Sequence, residues 1–139
     1  MMSVLAGCIT AASAAIVDAG IDCVDMVSGG VAAITTEGMS GGKSEVLLDP
    51  TPSEHVIRAA CLVAYLPSRD EITEMWMKGN AGTQTEDLIE QAVKCAGLAR
   101  TVLADAVKEA VESKLGVVVP TDGEVSKGKG KQTDVVMTG

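Results

Sequence analysis

The sequence of 139 residues contains few aromatic side chains: one Trp, one Tyr and no Phe. Proteins that bind single-stranded nucleic acids stack bases on aromatic rings, and this chain lacks the residues for such a platform. Positive charge is also scarce, because 11 Lys and Arg stand against 19 Asp and Glu and the formal net charge is -8. Binding to phosphate backbones requires clustered cations. The composition therefore excludes an autonomous nucleic-acid-binding domain.

Closely spaced metal ligands are missing as well. The four cysteines, Cys8, Cys23, Cys61 and Cys95, form no CxxC motif, and His55 is the only histidine. A zinc site needs ligands at short spacing, and a chain of this length can build a core without disulfides. We therefore expect reduced, buried thiols and no metal or other cofactor.

The sequence has no long run of strongly apolar residues. The longest uncharged stretch, from Met1 to Val17, is too short and too rich in Ala and Ser to predict a membrane span. Hydrophobic residues nevertheless make up 47% of the chain and charged residues only 22%. This balance is typical of a folded domain rather than a disordered one.

A first helix is predicted at residues 3–19, where Ala is frequent and Asp18 is the only charge. Gly20 follows, and Gly is the residue that most often ends a helix in the left-handed conformation. Because this helix is apolar on nearly all sides, it needs cover on both faces. A short chain can hardly supply that cover, so we expect a further protein layer against this helix.

Two strands are predicted next. Residues 22–36 are rich in Val and Ile, and the Gly29-Gly30 pair within them predicts a bulge or bend. A phosphate-binding role for these glycines is disfavoured because no helix begins behind them. Residues 37–43 are read as a Gly-rich hairpin loop and residues 44–49 as the returning strand, which Pro50 ends.

A second hairpin is predicted between residues 56 and 78. The apolar residues 56–66 suit a central strand, Pro67 to Asp70 a turn, and residues 71–78 an alternating partner strand. The candidate interface residues lie on this last strand: Met75, Trp76 and Met77. Trp76 is equally compatible with a core position and with an interface anchor.

The C-terminal part predicts a long amphipathic helix. Thr83 and Glu86 have the spacing of a capping box, apolar residues then recur at steps of three and four up to about Lys114, and Glu90 and Lys94 form an i,i+4 pair. Gly116 ends the helix. Residues 116–139 are rich in Gly, Lys and Thr, which predicts a flexible tail after a domain of residues 1–115. The order of elements indicates the α+β class: a helix, a four-stranded, mainly antiparallel sheet, and a long C-terminal helix.

Three short motifs follow one another in the first half of the chain. A helix ends in Val17-Asp18-Ala19-Gly20-Ile21, a strand begins with Val24-Asp25-Met26-Val27, and Leu47-Leu48-Asp49-Pro50-Thr51 follows. In their order and spacing these motifs resemble the second half of the ribonuclease PH fold, and the resemblance covers about residues 4–113. It implies that the chain begins at the helix before that second half, and that the N-terminal half is missing from the gene model or lies elsewhere.

Within this family the motifs are most similar to the ring subunits of the eukaryotic RNA exosome. The resemblance implies partners: other ribonuclease PH-like subunits in a hetero-oligomeric ring, cap subunits with RNA-binding domains, and RNA that passes through the assembly. It also implies a place in the nucleus, the nucleolus and the cytoplasm, with no membrane association. Active members of the family are phosphorolytic, with an Arg that binds phosphate and two catalytic acids.

The positions that match these catalytic residues carry other types of side chain in this sequence. Counting from the motifs, the phosphate-binding Arg corresponds to Leu5, and the two acids correspond to His55 and Cys61. A shift of one residue brings Glu54 to the first acid, but residues 59–66 contain no acid near the second. The resemblance therefore implies a catalytically inactive subunit. Two alternatives to this interpretation are an active phosphate-dependent 3′–5′ exoribonuclease and an unrelated α+β protein-interaction domain.

Other polar residues admit a functional and a structural interpretation. Asp49 suits a turn before proline better than a magnesium ligand, and His55 suits a surface position better than a relic general acid. Isolated cations such as Arg58 and Arg69, and the lysines at 127, 129 and 131, are typical of a solvated surface. No residue is therefore assigned to RNA binding.

Overall fold

The computed structural model describes residues 1–36, 44–51 and 56–116. The predicted Gly-rich loop, His55 and residues 117–139 lie outside these ranges. The described residues form two α-helices, α1 (Met2–Asp18) and α2 (Thr85–Leu115), and four strands. The strands are β1 (Ser28–Thr36), β2 (Ser44–Leu48), β3 (Ile57–Leu66) and β4 (Glu71–Gly79).

The four strands form one sheet in the order β2-β1-β3-β4, and every pairing is antiparallel. The apolar strand predicted as central, β3, lies between β1 and β4, with Leu62 opposite both Val31 and Trp76. The turn after β3 is a short 3-10 segment that ends at Asp70 in the left-handed conformation. The α+β fold predicted from the sequence is confirmed.

The two helices cover opposite faces of this sheet. Successive residues of a strand point to opposite sides, and Gly29 lies against Ala6 of α1 while Gly30 lies against Ala92 and Ala96 of α2. We call the side covered by α1 the α1 face and the side covered by α2 the α2 face. Most of the buried core lies on the α2 face, where Ala32, Ile34, Ala59, Cys61 and Val63 meet Ala81, Leu88, Ala92 and Ala96.

The end of α1 confirms the predicted glycine stop. Gly20 has a φ of 71°, its N–H donates to the Val17 carbonyl at 3.0 Å, and the N–H of Ile21 donates to the Ile16 carbonyl at 3.2 Å. This pair of hydrogen bonds is the Schellman motif, which satisfies carbonyls that the helix itself leaves without partners. At the end of α2, Gly116 likewise adopts a left-handed conformation.

The predicted capping box of α2 is wrong. Residues Gly82–Gln84 form a 3-10 turn, the helix begins at Thr85, and Gln84 at the N-cap makes no side-chain cap. The Thr85 hydroxyl instead donates to the Gly82 carbonyl at 2.8 Å. The chain thus enters the helix through a tighter turn that a spacing rule does not detect. The predicted Glu90–Lys94 ion pair is present at 3.1 Å.

Two predictions about the first strand also need correction. The strand begins at Ser28 rather than at residue 22, because Asp25 accepts a hydrogen bond from the Met26 N–H and the Val27 N–H donates to the Ser13 side chain. The glycine pair does not form a bulge, since Gly29 and Gly30 keep regular register with β3. The irregularity lies between Ile34 and Thr35.

The cysteines are free, as predicted, but they are not all buried. Cys61 lies in the core, Cys95 is half-buried, and Cys8 and Cys23 are exposed. The two exposed thiols lie on and just after α1, where the helix has solvent on its outer side. Neither helix in the described ranges is long and apolar enough to cross a membrane.

Candidate functional site

Helix α1 is anchored to β1 by small and hydroxylated residues. A Cβ at Gly29 would lie 2.4 Å from the Ala6 carbonyl oxygen, so only glycine permits this approach. The Thr10 hydroxyl donates to the Ala6 carbonyl and accepts a hydrogen bond from the Gly29 N–H, both at 3.0 Å. The helix is therefore held close to the sheet by backbone contacts rather than by large side chains.

The outer side of α1 is apolar and exposed. Ala6 is the only residue of this helix that is fully buried, and its contacts on the α1 face are with Val31 and Leu62. Larger apolar side chains point away from the sheet: Val4, Leu5 and Ile16. The helix carries no basic residue, so this surface can bind another apolar protein surface but not an anion through side-chain charge.

The structure separates the two described positions that match catalytic residues of the family. Leu5 lies on the exposed side of α1, whereas Cys61 lies in the core of the α2 face. Burial raises the pKa of the Cys61 thiol, and a neutral buried thiol is a core group rather than a proton donor. The sheet therefore lies between these two positions, and His55 is outside the described ranges.

A shift of the alignment by one residue does not bring an acid to the second catalytic position. Next to Cys61 and Val63, which point to the α2 face, β3 places Ala60, Leu62 and Ala64 on the α1 face. None of these side chains ionises at the α1 face, so this part of β3 cannot bind a metal ion or transfer a proton. In the described part of the chain, no three His, Cys, Asp or Glu side chains come together as a metal site.

A cleft of about 410 Å³ lies beside the N-terminus of α1. Its lining includes Val31, Pro50 and Ala60, and two cations, Arg58 and Lys78. Among the described residues that line it, none carries a carboxylate. The described lining of the cleft thus carries positive charge but none of the acids that phosphorolysis needs.

Asp49, considered above as a magnesium ligand, lies at the end of β2. It has a positive φ of 44°, and its N–H donates to the Val31 carbonyl at 2.9 Å. This conformation agrees with the turn interpretation, since Asp tolerates the left-handed region better than most residues.

The interface candidates of β4 lie on two faces of the sheet. Trp76 is opposite Leu62 on the α1 face and is 60% exposed, and Met75 on the α2 face is 46% exposed. Met77 is half-buried and packs against the core of the α2 face. The exposed pair therefore differs from Met77, which contributes to the core.

One polar cluster was missed by sequence reasoning. The Asp25 carboxylate accepts hydrogen bonds from the Met26 N–H at 2.7 Å, the Ser68 N–H at 3.0 Å and the Arg100 guanidinium at 2.9 Å. Burial alone would raise the pKa of Asp25, but these hydrogen bonds and the Arg100 charge outweigh it, so the pKa lies below its usual value. Asp25 thus ties the segment between α1 and β1 to the β3–β4 turn and to α2. Its partner Arg100 is 75 residues away in sequence, which no local pattern could reveal.

Comparison with known proteins agrees with this fold. Residues 30–97 match the family model described as 3′ exoribonuclease family, domain 2. The chain is 50% identical over 116 residues to "Exosome complex component MTR3" of Chaetomium thermophilum, a match that covers 80% of this chain and 40% of that protein. It is 30% identical over 110 residues to "Exosome complex component mtr3" of Schizosaccharomyces pombe, covering 76% of this chain and 41% of the relative.

The chain spans about two fifths of the length of these curated relatives. The motifs Cys8-Ile9-Thr10, Val24-Asp25-Met26 and Leu48-Asp49-Pro50-Thr51 resemble the exosome subunit called mRNA transport regulator three, and both relatives carry the name MTR3. The family model covers β1 to the first part of α2, which is the region that forms the core of the α2 face. Residues 30–97 therefore match the second domain of the 3′ exoribonuclease family, and the resemblance of the motifs to the ribonuclease PH family is confirmed.

Proposed function

We propose that this chain is a non-catalytic structural part of an RNA exosome ring, where it supports 3′-to-5′ RNA processing and degradation by other subunits. Two relatives are named exosome complex components, which supports the assembly. The single observation that carries the non-catalytic role is the stretch of β3 from Ala60 to Ala64. It places Ala60, Leu62 and Ala64 on the α1 face and no group there for acid–base chemistry or metal binding.

The exposed surfaces of the chain suit a subunit that is bound by protein neighbours. The outer side of α1 exposes Val4, Leu5 and Ile16, and β4 exposes Trp76 and Met75. Isolated apolar side chains are common on protein surfaces, but an apolar helix side together with an exposed Trp is typical of interaction sites. We assign the outer side of α1 to contacts with related ribonuclease PH-like subunits, and β4 is a second interaction surface.

In this proposal the acidic chain does not bind RNA on its own. RNA passes through the assembled ring, and cap subunits with RNA-binding domains supply the positive charge that this chain lacks. The complex acts in the nucleus, the nucleolus and the cytoplasm. Residues 1–115 serve as the second part of a ribonuclease PH-like domain in this assembly.

Reconstitution with the other ring subunits tests both parts of the proposal. The chain is expected to co-purify with the ring, and incubation of the assembly with RNA and inorganic phosphate is expected to release no nucleoside diphosphates through this subunit. The Arg58→Ala variant is the matched control, because Arg58 lines the cleft beside α1. Phosphate-dependent release of nucleoside diphosphates that falls in this variant would show an active site, and failure to join the ring would contradict the structural role.

A further inference from the structure

The strand β4 forms an edge of the described sheet. It pairs with β3 on one side, and among the described residues no strand pairs with its other side. All of its residues except Met77 are exposed. An edge of nine residues presents a row of backbone donors and acceptors that another strand can use.

This edge has little of the protection that natural edge strands carry. Proteins shield such strands with proline, several lysines, or a strong bulge, but β4 has no Pro and a single Lys, Lys78, near its end. The register irregularity lies at the other end of the strand, beyond Glu74. The segment from Glu74 to Lys78 is therefore regular and free to pair.

The charges on this segment are complementary to those of a second copy. Glu74, Trp76 and Lys78 are at alternate positions and lie on the α1 face, opposite Ala64, Leu62 and Ala60. If two β4 strands pair antiparallel around a two-fold axis at Trp76, each Glu74 lies opposite the partner's Lys78. The two Trp76 rings then meet, and each Met75 lies opposite the partner's Met77.

Each of these cross-strand pairs is favourable, since aromatic pairs and opposite charges stabilise antiparallel strands. A two-fold axis at residue 75 would place Glu74 opposite Trp76, and an axis at residue 74 would place the two Glu74 side chains opposite each other. Only the register centred on Trp76 satisfies both charges. In the described part of the chain, neither Glu74 nor Lys78 takes part in a salt bridge.

We propose that β4 joins two copies of this chain through an antiparallel pairing centred on Trp76, which produces one continuous eight-stranded sheet. The pairing is isologous, because the same surface is used by both copies, so it closes as a dimer and does not continue into a filament. The helices leave room for it, since the core contacts of α1 and α2 lie on β1 and β3. The inference goes beyond the proposed function and does not rest on it, because it needs no exosome subunit.

Charge reversal of the two residues gives a specific test. Glu74→Lys places two ammonium groups opposite each other at both ends of the pairing, and Lys78→Glu places two carboxylates there. Measured by light scattering of the eluting protein over a dilution series, the wild-type chain is expected to be a dimer. Each single variant is expected to dissociate at a concentration at least about tenfold higher.

An equimolar mixture of the two variants is the decisive sample. In a mixed pair, both contacts join opposite charges, so the dimer is expected to return with one copy of each variant. Glu109→Lys and Lys108→Glu on the exposed side of α2 are the matched controls, because they change the net charge equally away from β4. These controls are expected to dimerise like the wild type.

Four results would overturn the proposal. The first is a monomer at every concentration, and the second is a dimer that neither reversal weakens. The third is a cross-link between β4 and residues 117–139 of the same chain, because that segment would then occupy the edge. Loss of the dimer in the single variants without recovery in the mixture would also contradict the register. None of these results bears on whether the chain joins the exosome ring.

Discussion

The two faces of the sheet differ in how completely they are covered. On the α2 face, Leu88, Ala92 and Ala96 are fully buried against the strands. On the α1 face, Ala6, Val31 and Leu62 form a small buried cluster, and Met2 and Ile9 are only partly buried beside it. Because more side chains are buried on the α2 face, we expect it to supply most of the stability, while the less completely buried α1 side suits protein contacts.

The largest difference between the faces is expected on truncation of their apolar side chains. Leu88→Ala removes a fully buried side chain from the α2 face and is expected to cost about 2–5 kcal/mol of unfolding free energy. Ile9→Ala removes a half-buried side chain on the α1 face and is expected to cost about 1 kcal/mol. Urea denaturation followed by circular dichroism measures both values.

Leu98→Ala is the control for this comparison, because Leu98 is on the same helix as Leu88 but is 64% exposed. Its cost is expected to stay within about 0.5 kcal/mol. Equal losses for Leu88→Ala and Ile9→Ala would show that the two faces contribute equally, contrary to the comparison.

The adjacent glycines Gly29 and Gly30 allow the two faces to be compared by the same substitution, Gly to Ala. A Cβ at Gly30 would lie 2.2 Å from the Ala92 carbonyl oxygen, and a Cβ at Gly29 would lie 2.4 Å from the Ala6 carbonyl oxygen. Gly30→Ala is expected to cost about 1–3 kcal/mol, because α2 packs against several strands and cannot move away. Gly29→Ala is expected to cost less, since α1 has no described cover on its outer side and can shift.

Thermal unfolding of the two variants under the same conditions measures this difference. A lower midpoint for Gly30→Ala than for Gly29→Ala supports the unequal faces. The reverse order would mean that α1 is held more rigidly than α2.

The Asp25 cluster joins the segment between α1 and β1 to the β3–β4 turn and to α2, and its effect on stability is expected to depend on pH. Asp25→Asn is expected to cost about 1–3 kcal/mol at pH 7, because it removes a charged partner from Arg100 and from two N–H groups. The folded protein lowers the pKa of Asp25, so its contribution is present above the pKa of the unfolded state. This contribution is lost as the pH falls from about 4, near the pKa of the unfolded state, through the lowered pKa of Asp25 in the folded state.

Denaturation at a series of pH values tests this linkage. The difference in unfolding free energy between the wild type and Asp25→Asn is expected to shrink in acid. Asp105→Asn changes an exposed residue and is the control, with little expected effect on the unfolding free energy at pH 7. A difference that stays constant down to pH 2 would show that the ionised carboxylate does not provide the stabilisation.

The smallest effect is expected at the ends of the two helices. Lys114 of α2 bonds to Asp18 of α1, but both side chains are more than half exposed. Exposed ion pairs contribute little because water screens them, so Asp18→Asn is expected to change the unfolding free energy by about 0.5 kcal/mol or less. Added salt is expected to abolish even this change. A loss as large as that of Asp25→Asn would show that the helix ends are coupled tightly.

The sequence was sufficient to predict the order and type of the elements. Apolar runs and glycine stops predicted α1, β3 and α2, because these features depend on residues close together in the chain. It was not sufficient for Gly29 and Gly30, whose role is to admit Ala6 and Ala92 from helices distant in sequence. The conformation of the glycines is that of an ordinary strand, so a local rule predicted a bulge that is absent.

The candidate site was also predictable only in part, because sequence motifs identify residues but not their distant contacts. Resemblance to the family matched Leu5 and Cys61 to catalytic positions and showed that their side chains are not catalytic. It did not reveal that the two residues lie on opposite sides of the sheet. The exposure of Trp76 likewise depends on β4 being an edge strand, which the alternation of its residues does not reveal. The Asp25–Arg100 contact requires the whole fold to be known.

The difference between the two faces is tested most directly by hydrogen exchange, measured on the free chain and on the chain in a reconstituted exosome ring. Amides of α2 between residues 88 and 96 are expected to exchange slowly in both samples. Amides of α1 are expected to exchange quickly in the free chain and slowly in the ring, because its outer side becomes covered. Equal protection of α1 and α2 in the free chain, or no change in α1 on assembly, would contradict the account.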